Sequence, residues 1–403
     1  MQRDCLYQER TDHFTKKMIA TFYSILKIYY LILGIIGAPV NLLAIVILSR
    51  GKCGLSTCTT HYLVAMATTD LLVIISGVIL LRINFYYFPE VIIYIMPVCS
   101  VIIVLIRAAT DCSVWFTVTF TFDRFVAICC QKLKTKYCTE KTAVVVLATT
   151  GILLCLQNVP FYFASEPAEK ISKVPWFCSA KPSSYTDPVW VGLGVFDKFL
   201  NPLLPITSIL LLNALTVRHI LVANRVRKGL RGHSKGENCS DPEMESRRRS
   251  VILLFTISGS FILPWLVFVI EFLYYTISGT DHRDYTDSEY IFRQVGLMMR
   301  NLSCCTNTFI YGVTQSKFRE QVKSAAVHII LTVCHTTKVC AVDTFRDSAF
   351  QDANCLQLPE MSLHPFLNKG FTLPLSNPLS LPSYLGRLHN YDTPFCNVYP
   401  HFV

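Results

Sequence analysis

Charged side chains are sparse in this chain, and several of them stand among apolar neighbours. Arg107 and Asp111 are four residues apart in the apolar run 96–129. On a helix that spacing is one turn, so the two share a face and can form an internal ion pair. Asp70 is the single charge between Tyr62 and Leu81, and Asp123-Arg124 is an adjacent acid–base pair at the end of the run that holds Arg107. Asp197, Lys198, Glu271, Arg293 and Arg300 lie towards the ends of other apolar runs. Groups of this kind can bind ions or polar ligands, or compensate one another. Hydrolytic metal chemistry finds no support, because HExxH and zinc-spaced CxxC pairs do not occur. Most of the 17 cysteines fall in apolar runs or basic loops, where they read as small buried hydrophobes.

The elements that must position these charges are membrane spans. Of 403 residues 52% are hydrophobic and 16% charged, against about 25% charged in an ordinary soluble domain; the mean hydropathy is +0.41. A helix rises about 1.5 Å per residue, so crossing a hydrocarbon core of about 30 Å takes roughly 20 apolar residues. Ile28–Leu48, Tyr62–Leu81, Thr142–Ser165, Phe199–Val217 and Ser250–Ile270 meet that requirement, and Met96–Cys129 and Gln294–Gly312 do so with internal charges. The count is seven. Met1–Lys17 is polar, without the apolar core of a cleavable signal peptide, so the first long run is itself a span.

The net charge of +10 is concentrated in short loops, which is a topology signal and not a nucleic-acid footprint. Loops 49–61, 131–141 and 218–249 hold 15 Lys and Arg, and loops 82–97, 166–187 and 277–293 hold 6. The five basic residues before the first span weaken this bias without reversing it. The richer side is cytoplasmic, which predicts an outside N-terminus, an inside C-terminus and a multi-pass protein. Residues 1–21 are then extracellular, 22–326 form the membrane domain, and 327–403 a cytoplasmic tail. Residues 317–330 have a helical period with Phe318, Val322 and Ala326 on one face, as in a short amphipathic helix on the inner leaflet. Beyond it, Cys334 and Cys340 are candidates for palmitoylation. The segment 341–403, rich in Pro, Leu, Ser and Asn, reads as disordered. The fold class is all-α: a seven-helix membrane bundle with a short eighth helix and a disordered tail.

The motifs fall on successive spans. Gly37–Asn41 (GAPVN) is in the first, Met66–Asp70 (MATTD) in the second, and Cys99 and Asp123–Phe125 (DRF) bound the third. Pro205 is in the fifth, Phe261–Trp265 (FILPW) in the sixth and Asn307–Tyr311 (NTFIY) in the seventh. In this order they resemble the rhodopsin-like (class A) G-protein-coupled receptors over about residues 22–326. The register Leu254–Ile257, Phe261, Trp265 is most similar to the orphan group called probable G-protein coupled receptor 139 and 142. From Cys99 to Arg124 is 25 residues, about 37 Å of helix, enough to reach both interfaces.

The resemblance implies a plasma-membrane receptor, an orphan or neuropeptide-receptor-like protein, that signals to a heterotrimeric G protein of the Gq type and to arrestin. It implies a Cys99–Cys178 disulfide, and an Arg124 that is held by local partners and released for coupling, with Asp123, Asn307 and Tyr311 as activation residues. It also implies that Asp70, with Ser113, Ser303 and Asn307 at matching depth and Asn41 nearby, encloses a sodium ion; the alternatives are a water-filled polar network or a protonated Asp70. Several positions depart from the family. Arg247-Arg248-Arg249 stands where relatives carry an acid that restrains the arginine, which predicts appreciable basal signalling. Pro264 precedes Trp265 directly, Thr308 replaces a proline, Asn213 a tyrosine, and the fourth span lacks its tryptophan.

For a ligand the expected residues are Arg107, Asp111, Asp197, Trp265, Glu271 and Arg300. Lipid penalises such charges, so most should face inward, although Lys198, Glu271 and Arg293 have the alternative of snorkelling outward. Mixed charge beside Trp115, Phe268, Phe272 and Tyr274 suits an amino-acid-like small molecule or short peptide. Two rivals are a seven-helix enzyme or pump and a non-signalling decoy. A retinal pump would need a lysine in the seventh span, and none lies between Tyr290 and Ser316.

Overall fold

The computed structural model describes residues 2–51, 53–88, 92–171, 174–231, 242–278 and 286–327. Cys334, Cys340 and the segment 341–403 lie outside the described residues. The chain divides into a bundle unit through Gln321 and a second unit, Val322–Phe395, of which residues 322–327, all helical, are described.

The bundle unit contains α1 (Gln2–Ser49), α2 (Thr57–Val73), α3 (Val98–Cys129), α4 (Glu140–Asn158), α5 (Leu204–Arg231), α6 (Pro242–Ser278) and α7 (Asp287–Thr314). A further helix, α8, covers residues 316–327. Among the described residues six helical segments are long and apolar enough to cross a membrane: Lys17–Ser49, Thr57–Tyr87, Val98–Cys129, Glu140–Tyr162, Pro188–Ala223 and Ser250–Tyr274. The seventh helix, α7, carries Asp287, Glu289, Arg293 and Arg300 and so is less apolar, but it buries Arg293 and Arg300 against its neighbours.

The packing is inverted relative to a soluble bundle. Asn41, Asp70, Asp111, Asn158 and Asn301 are buried, whereas Ile35, Leu156, Leu211, Leu263 and Val313 are more than half exposed. Lipid tails solvate such leucines and isoleucines and cannot solvate an amide or carboxylate, so polar groups gather inside. Helix α4 is the extreme case, burying Ala143, Leu154 and Asn158.

Several boundaries differ from the sequence-based spans, each for a local reason. Helix α2 continues through a π-helical stretch, Ile74–Ile83, to Asn84–Tyr87. The expected fourth span ends early: α4 stops at Asn158, passes through a 3₁₀ turn with Pro160 at its start, and Ser165 opens a strand. The loop after it is a hairpin, with β1 (Ser165–Ile171) antiparallel to β2 (Val174–Ala180), an element the all-α reading did not contain. The fifth span is two helices, Pro188–Lys198 and α5, joined by Phe199–Leu203, where Asn201 is extended at φ −150°. Proline at 202 explains the break, since the residue before proline is driven out of the helical region. By contrast α6 runs unbroken through Pro264. Helix α7 starts seven residues before the predicted Gln294, on a capping box in which Glu289 N–H donates to Thr286 Oγ1 and Thr286 N–H to Glu289 Oε2.

Candidate functional site

The polar interior is arranged in three layers. At one end of the bundle Cys99, in the first turn of α3, is bonded to Cys178 of β2. The bridge is buried, and β2 is also tied to the segment before α3 by Met96 N–H donating to the Pro175 carbonyl at 3.2 Å. The hairpin is thereby fixed to this end.

Beneath the bridge, Arg107 and Asp111 do not form the expected pair. Arg107 Nη2 lies 2.7 Å from Asp197 Oδ2, its Nε donates to Asn158 Oδ1 at 3.2 Å, and its guanidinium stacks 3.7 Å from the Phe161 ring centroid. Asp111 instead accepts from Asn158 Nδ2 at 2.6 Å and from Asn201 Nδ2. One buried amide, Asn158, therefore bridges the arginine and the acid. A guanidinium only donates and a carboxylate only accepts, and an amide offers one face to each. Sequence spacing missed this because a same-helix neighbour is a weaker competitor than a carboxylate or amide projecting from the facing helix. Asn158 and the chain-broken Asn201 carry no charge, so the search for charges passed them over.

On the other side, Glu271 and Arg293 are 2% and 7% exposed with Oε1 and Nη1 3.6 Å apart, so neither snorkels outward. Lys198 is exposed, with its ammonium 5.3 Å from the Phe272 ring centroid, as snorkelling predicts. Arg300 is buried, 5.0 Å from the Phe268 centroid.

The middle layer centres on Asp70. Ser113 Oγ donates to its Oδ1 at 2.5 Å and Asn307 Nδ2 to its Oδ2 at 2.8 Å, so α2, α3 and α7 meet there. Asn41 is adjacent but differently engaged: its Nδ2 donates to the Cys304 carbonyl at 2.9 Å and its Oδ1 accepts from Thr308. Ser303 is not on Asp70. It accepts from Trp265 Nε1 at 3.2 Å and donates to the Arg300 carbonyl at 2.6 Å, which couples the α6 tryptophan to α7. Trp265 stacks with Phe261 at 5.4 Å and packs on Val114 and Ile206.

The layer farthest from the bridge holds Arg124, whose Nε donates to Asp123 Oδ2 at 3.0 Å while Nη2 contacts the same oxygen. The other carboxylate oxygen, Oδ1, accepts from Cys58 Sγ at 3.2 Å. Both charged residues are buried. Nearby, Cys138 lies in the connection after α3, where burial and the charge of Asp123 push its thiol up to about 11, so it stays protonated at neutral pH. Tyr311 is fully buried and meets Phe318 of α8 edge-on at 6.0 Å. Cys58 had no motif to announce it. Of the arginine triplet in α6, Arg248 is exposed; the side chains of Arg247 and Arg249 lie outside the described residues.

Among the described residues no cluster of three or more His, Cys, Asp or Glu could hold a metal.

The sequence pattern of the family described as 7 transmembrane receptor (rhodopsin family) fits residues 40–311. Mouse "Probable G-protein coupled receptor 142" is 24% identical over 319 residues, which are 78% of this chain and 74% of that protein. The "FMRFamide receptor" of Drosophila melanogaster is 22% identical over 72% of this chain and 51% of its own length, so the match spans about half of that relative. The "Cysteinyl leukotriene receptor 1" of Sus scrofa is 18% identical over 69% of this chain and 77% of its own. All three are receptors and none is an enzyme. With its seven helices, its bridge at one end and its acid–arginine pair at the other, this multi-pass membrane chain belongs to the rhodopsin family of seven-transmembrane, G-protein-coupled receptors.

Proposed function

We propose that this receptor converts an extracellular amino-acid-like small molecule or short peptide into activation of a heterotrimeric G protein of the Gq type at the plasma membrane. The bridge end faces outward and the Arg124 end the cytoplasm, in keeping with the excess of basic residues in the loops on the Arg124 side. The observation that carries the reading is the chain of polar contacts between the two ends: Ser303 links Trp265 to α7, Asn307 links α7 to Asp70, and beyond them Arg124 is folded back on Asp123. A ligand that moves Trp265 alters the Ser303 bond, and rearrangement of α6 and α7 opens the end where Arg124 is held. Freed from Asp123, the guanidinium becomes a donor for a partner's carbonyls.

The test is a panel of G-protein activation sensors in cells expressing wild type or Arg124→Ala at matched surface levels. We expect ligand-independent Gq-sensor signal above mock in the wild type and its loss in the variant. Silence from both at proven surface expression would make the chain a decoy instead; signal in both would remove Arg124 from coupling.

Asp70 and Ser113 bring a carboxylate and a hydroxyl oxygen together, and Asn307 has an amide oxygen to turn inward, a donor set that fits a sodium ion in part. Ser303 would have to leave Trp265 to complete it. On this assignment, raising sodium at constant ionic strength stabilises wild type against heat and leaves Asp70→Asn unmoved. Equal midpoints for wild type in sodium and in choline would leave Asp70 with its protein donors alone.

A further inference from the structure

Most buried charges in the bundle have a partner in the protein. Asp70 has Ser113 and Asn307, Asp111 has Asn158 and Asn201, Arg107 has Asp197, Arg124 has Asp123, and Glu271 has Arg293. Two do not fit this pattern. Arg82, on the π-helical continuation of α2, and Arg300, on α7, are each 8% exposed, and among the described residues neither meets a carboxylate. Their neighbours pack together: Tyr30 of α1, Ile83 and Tyr86 beside Arg82, and Met298 and Leu302 beside Arg300 form one cluster, and the Tyr86 side chain is a hydrogen-bond partner of Arg82. The Arg82 guanidinium is 5.5 Å from the Tyr30 ring centroid. Tyr30 is fully buried, and its hydroxyl has no hydrogen-bond partner.

A guanidinium does not shed its proton at any ordinary pH. Two of them in one part of the bundle, removed from water and without a carboxylate in ion-pair contact, are an unfavourable arrangement that a bound anion reverses. The donors present are two planar forks and a phenol, which match a carboxylate's two oxygens. The flanking surface is aromatic: the Phe268 ring is 5.0 Å from Arg300, and Tyr86 stacks on Tyr30 at 6.1 Å. Aromatic walls favour an organic acid, whose body can be desolvated, over a hydrated inorganic anion.

We propose that Arg82, Arg300 and Tyr30 form a subsite for the carboxylate of this receptor's ligand, either the acid group of a free amino-acid-like molecule or the C-terminus of a short peptide. The inference rests on the proposed function for the word ligand, and its test reads binding and not signalling, so each can fail alone. The probes are sodium benzoate and neutral benzamide, added at matched ionic strength to purified full-length receptor in detergent while thermal unfolding is followed. At benzoate concentrations about tenfold above its dissociation constant the midpoint of the wild type should rise by about 2 °C, and benzamide should leave it unmoved. Arg82→Gln and Arg300→Gln should lose the benzoate shift and, probe-free, melt no lower than wild type, since an uncompensated charge is gone. Phenylalanine and N-acetylphenylalanine then separate the two sources: a free amino acid is favoured if acetylation removes the shift, a peptide terminus if it does not. The proposal is overturned if benzoate fails to stabilise wild type, if benzamide does as well, or if both variants keep the shift. Glutamine variants that melt well below wild type, or cannot be purified, would overturn it too, by showing the charges to be structural.

Discussion

Asn158→Leu should lower the thermal midpoint of the purified receptor by about 7 °C, the largest effect expected of any single side chain in the layer beneath the bridge. The amide donates to Asp111 and accepts from Arg107, so its loss removes one hydrogen bond from each of two charges. A hydrogen bond to a charged group contributes about 1.5–3 kcal/mol, and on the Asp111 side, which is 4% exposed, no water replaces it. Two such losses come to about 3–6 kcal/mol, and a chain of this size shifts by about 1–2 °C per kcal/mol. Leucine is larger in apolar surface but has nowhere to send the two charges. The pairing itself is tested by a double-mutant cycle: Asp111→Leu with Asn158→Leu should cost clearly less than the two singles added, because the second change removes a group already left without its partner. Additive effects, or a single-variant drop under about 2 °C, would show that the network relaxes around the gap. Asp197→Asn should do less. Arg107 and Asp197 keep 17% and 18% side-chain exposure, where water can take up part of the lost contact.

How far the sequence could anticipate this architecture depends on what each feature required. Six spans followed from run length, because lipid demands about twenty apolar residues whatever their identity, while the seventh, with Arg300 inside it, also rested on the motif Asn307–Tyr311. Span ends did not, since they depend on local devices: the capping box at Thr286 begins α7 early, and the pair Asn201-Pro202 breaks the fifth span. The hairpin was hidden because the buried residues of β2, Phe177 and Cys178, are adjacent and show no two-residue alternation, and because it is held partly by the bridge to α3, a contact distant in sequence.

The middle and inner layers were legible because a lone acid in an apolar run must find partners at its own depth, and few polar residues qualify. That reasoning grouped Asp70 with Ser113 and Asn307, and both donate to its carboxylate. It failed for Ser303, where matching depth did not decide which way the hydroxyl turned. Arg82 was missed for a geometric reason. It was counted with the loop after the second span, but the helix continues to Tyr87. The stretch from Ile74 winds in i→i+5 turns, so residues beyond it rotate away from where a 3.6-residue period would put them. Arg82 reaches the interior through that change of winding.

The second large effect concerns the bridge, and here the usual magnitude must be reduced before it is used. Closing a loop with a sequence separation of 79 residues would stabilise a free chain by about 4–5 kcal/mol through the entropy of the unfolded state. A receptor unfolding within lipid or detergent keeps much of its helix, so its unfolded chain is already confined and the entropic share is smaller. What the bridge retains is local. It holds β2 against the first turn of α3, assisted by the Ile95–Trp176 backbone bridge and by Ser100 Oγ at 3.5 Å from Cys178 Sγ. Cys99→Ser and Cys178→Ser should therefore each lower the midpoint by about 2–4 °C, near 2 kcal/mol on the same scale, and reduce surface expression several-fold. The double variant should match the singles, because one bond is lost in all three cases. Reductant should move wild type to the variants' midpoint and leave the variants where they are. If the singles differed and their effects added, each cysteine would be acting through its own packing, and the hairpin would be held at this end by backbone contacts instead of by sulfur. Because the hairpin is anchored at the end where Glu271 and Arg300 are buried and Arg107 half-buried, the same loss of order should weaken benzoate stabilisation in the cysteine variants while leaving the Asp123–Arg124 pair, at the other end of α3, in place.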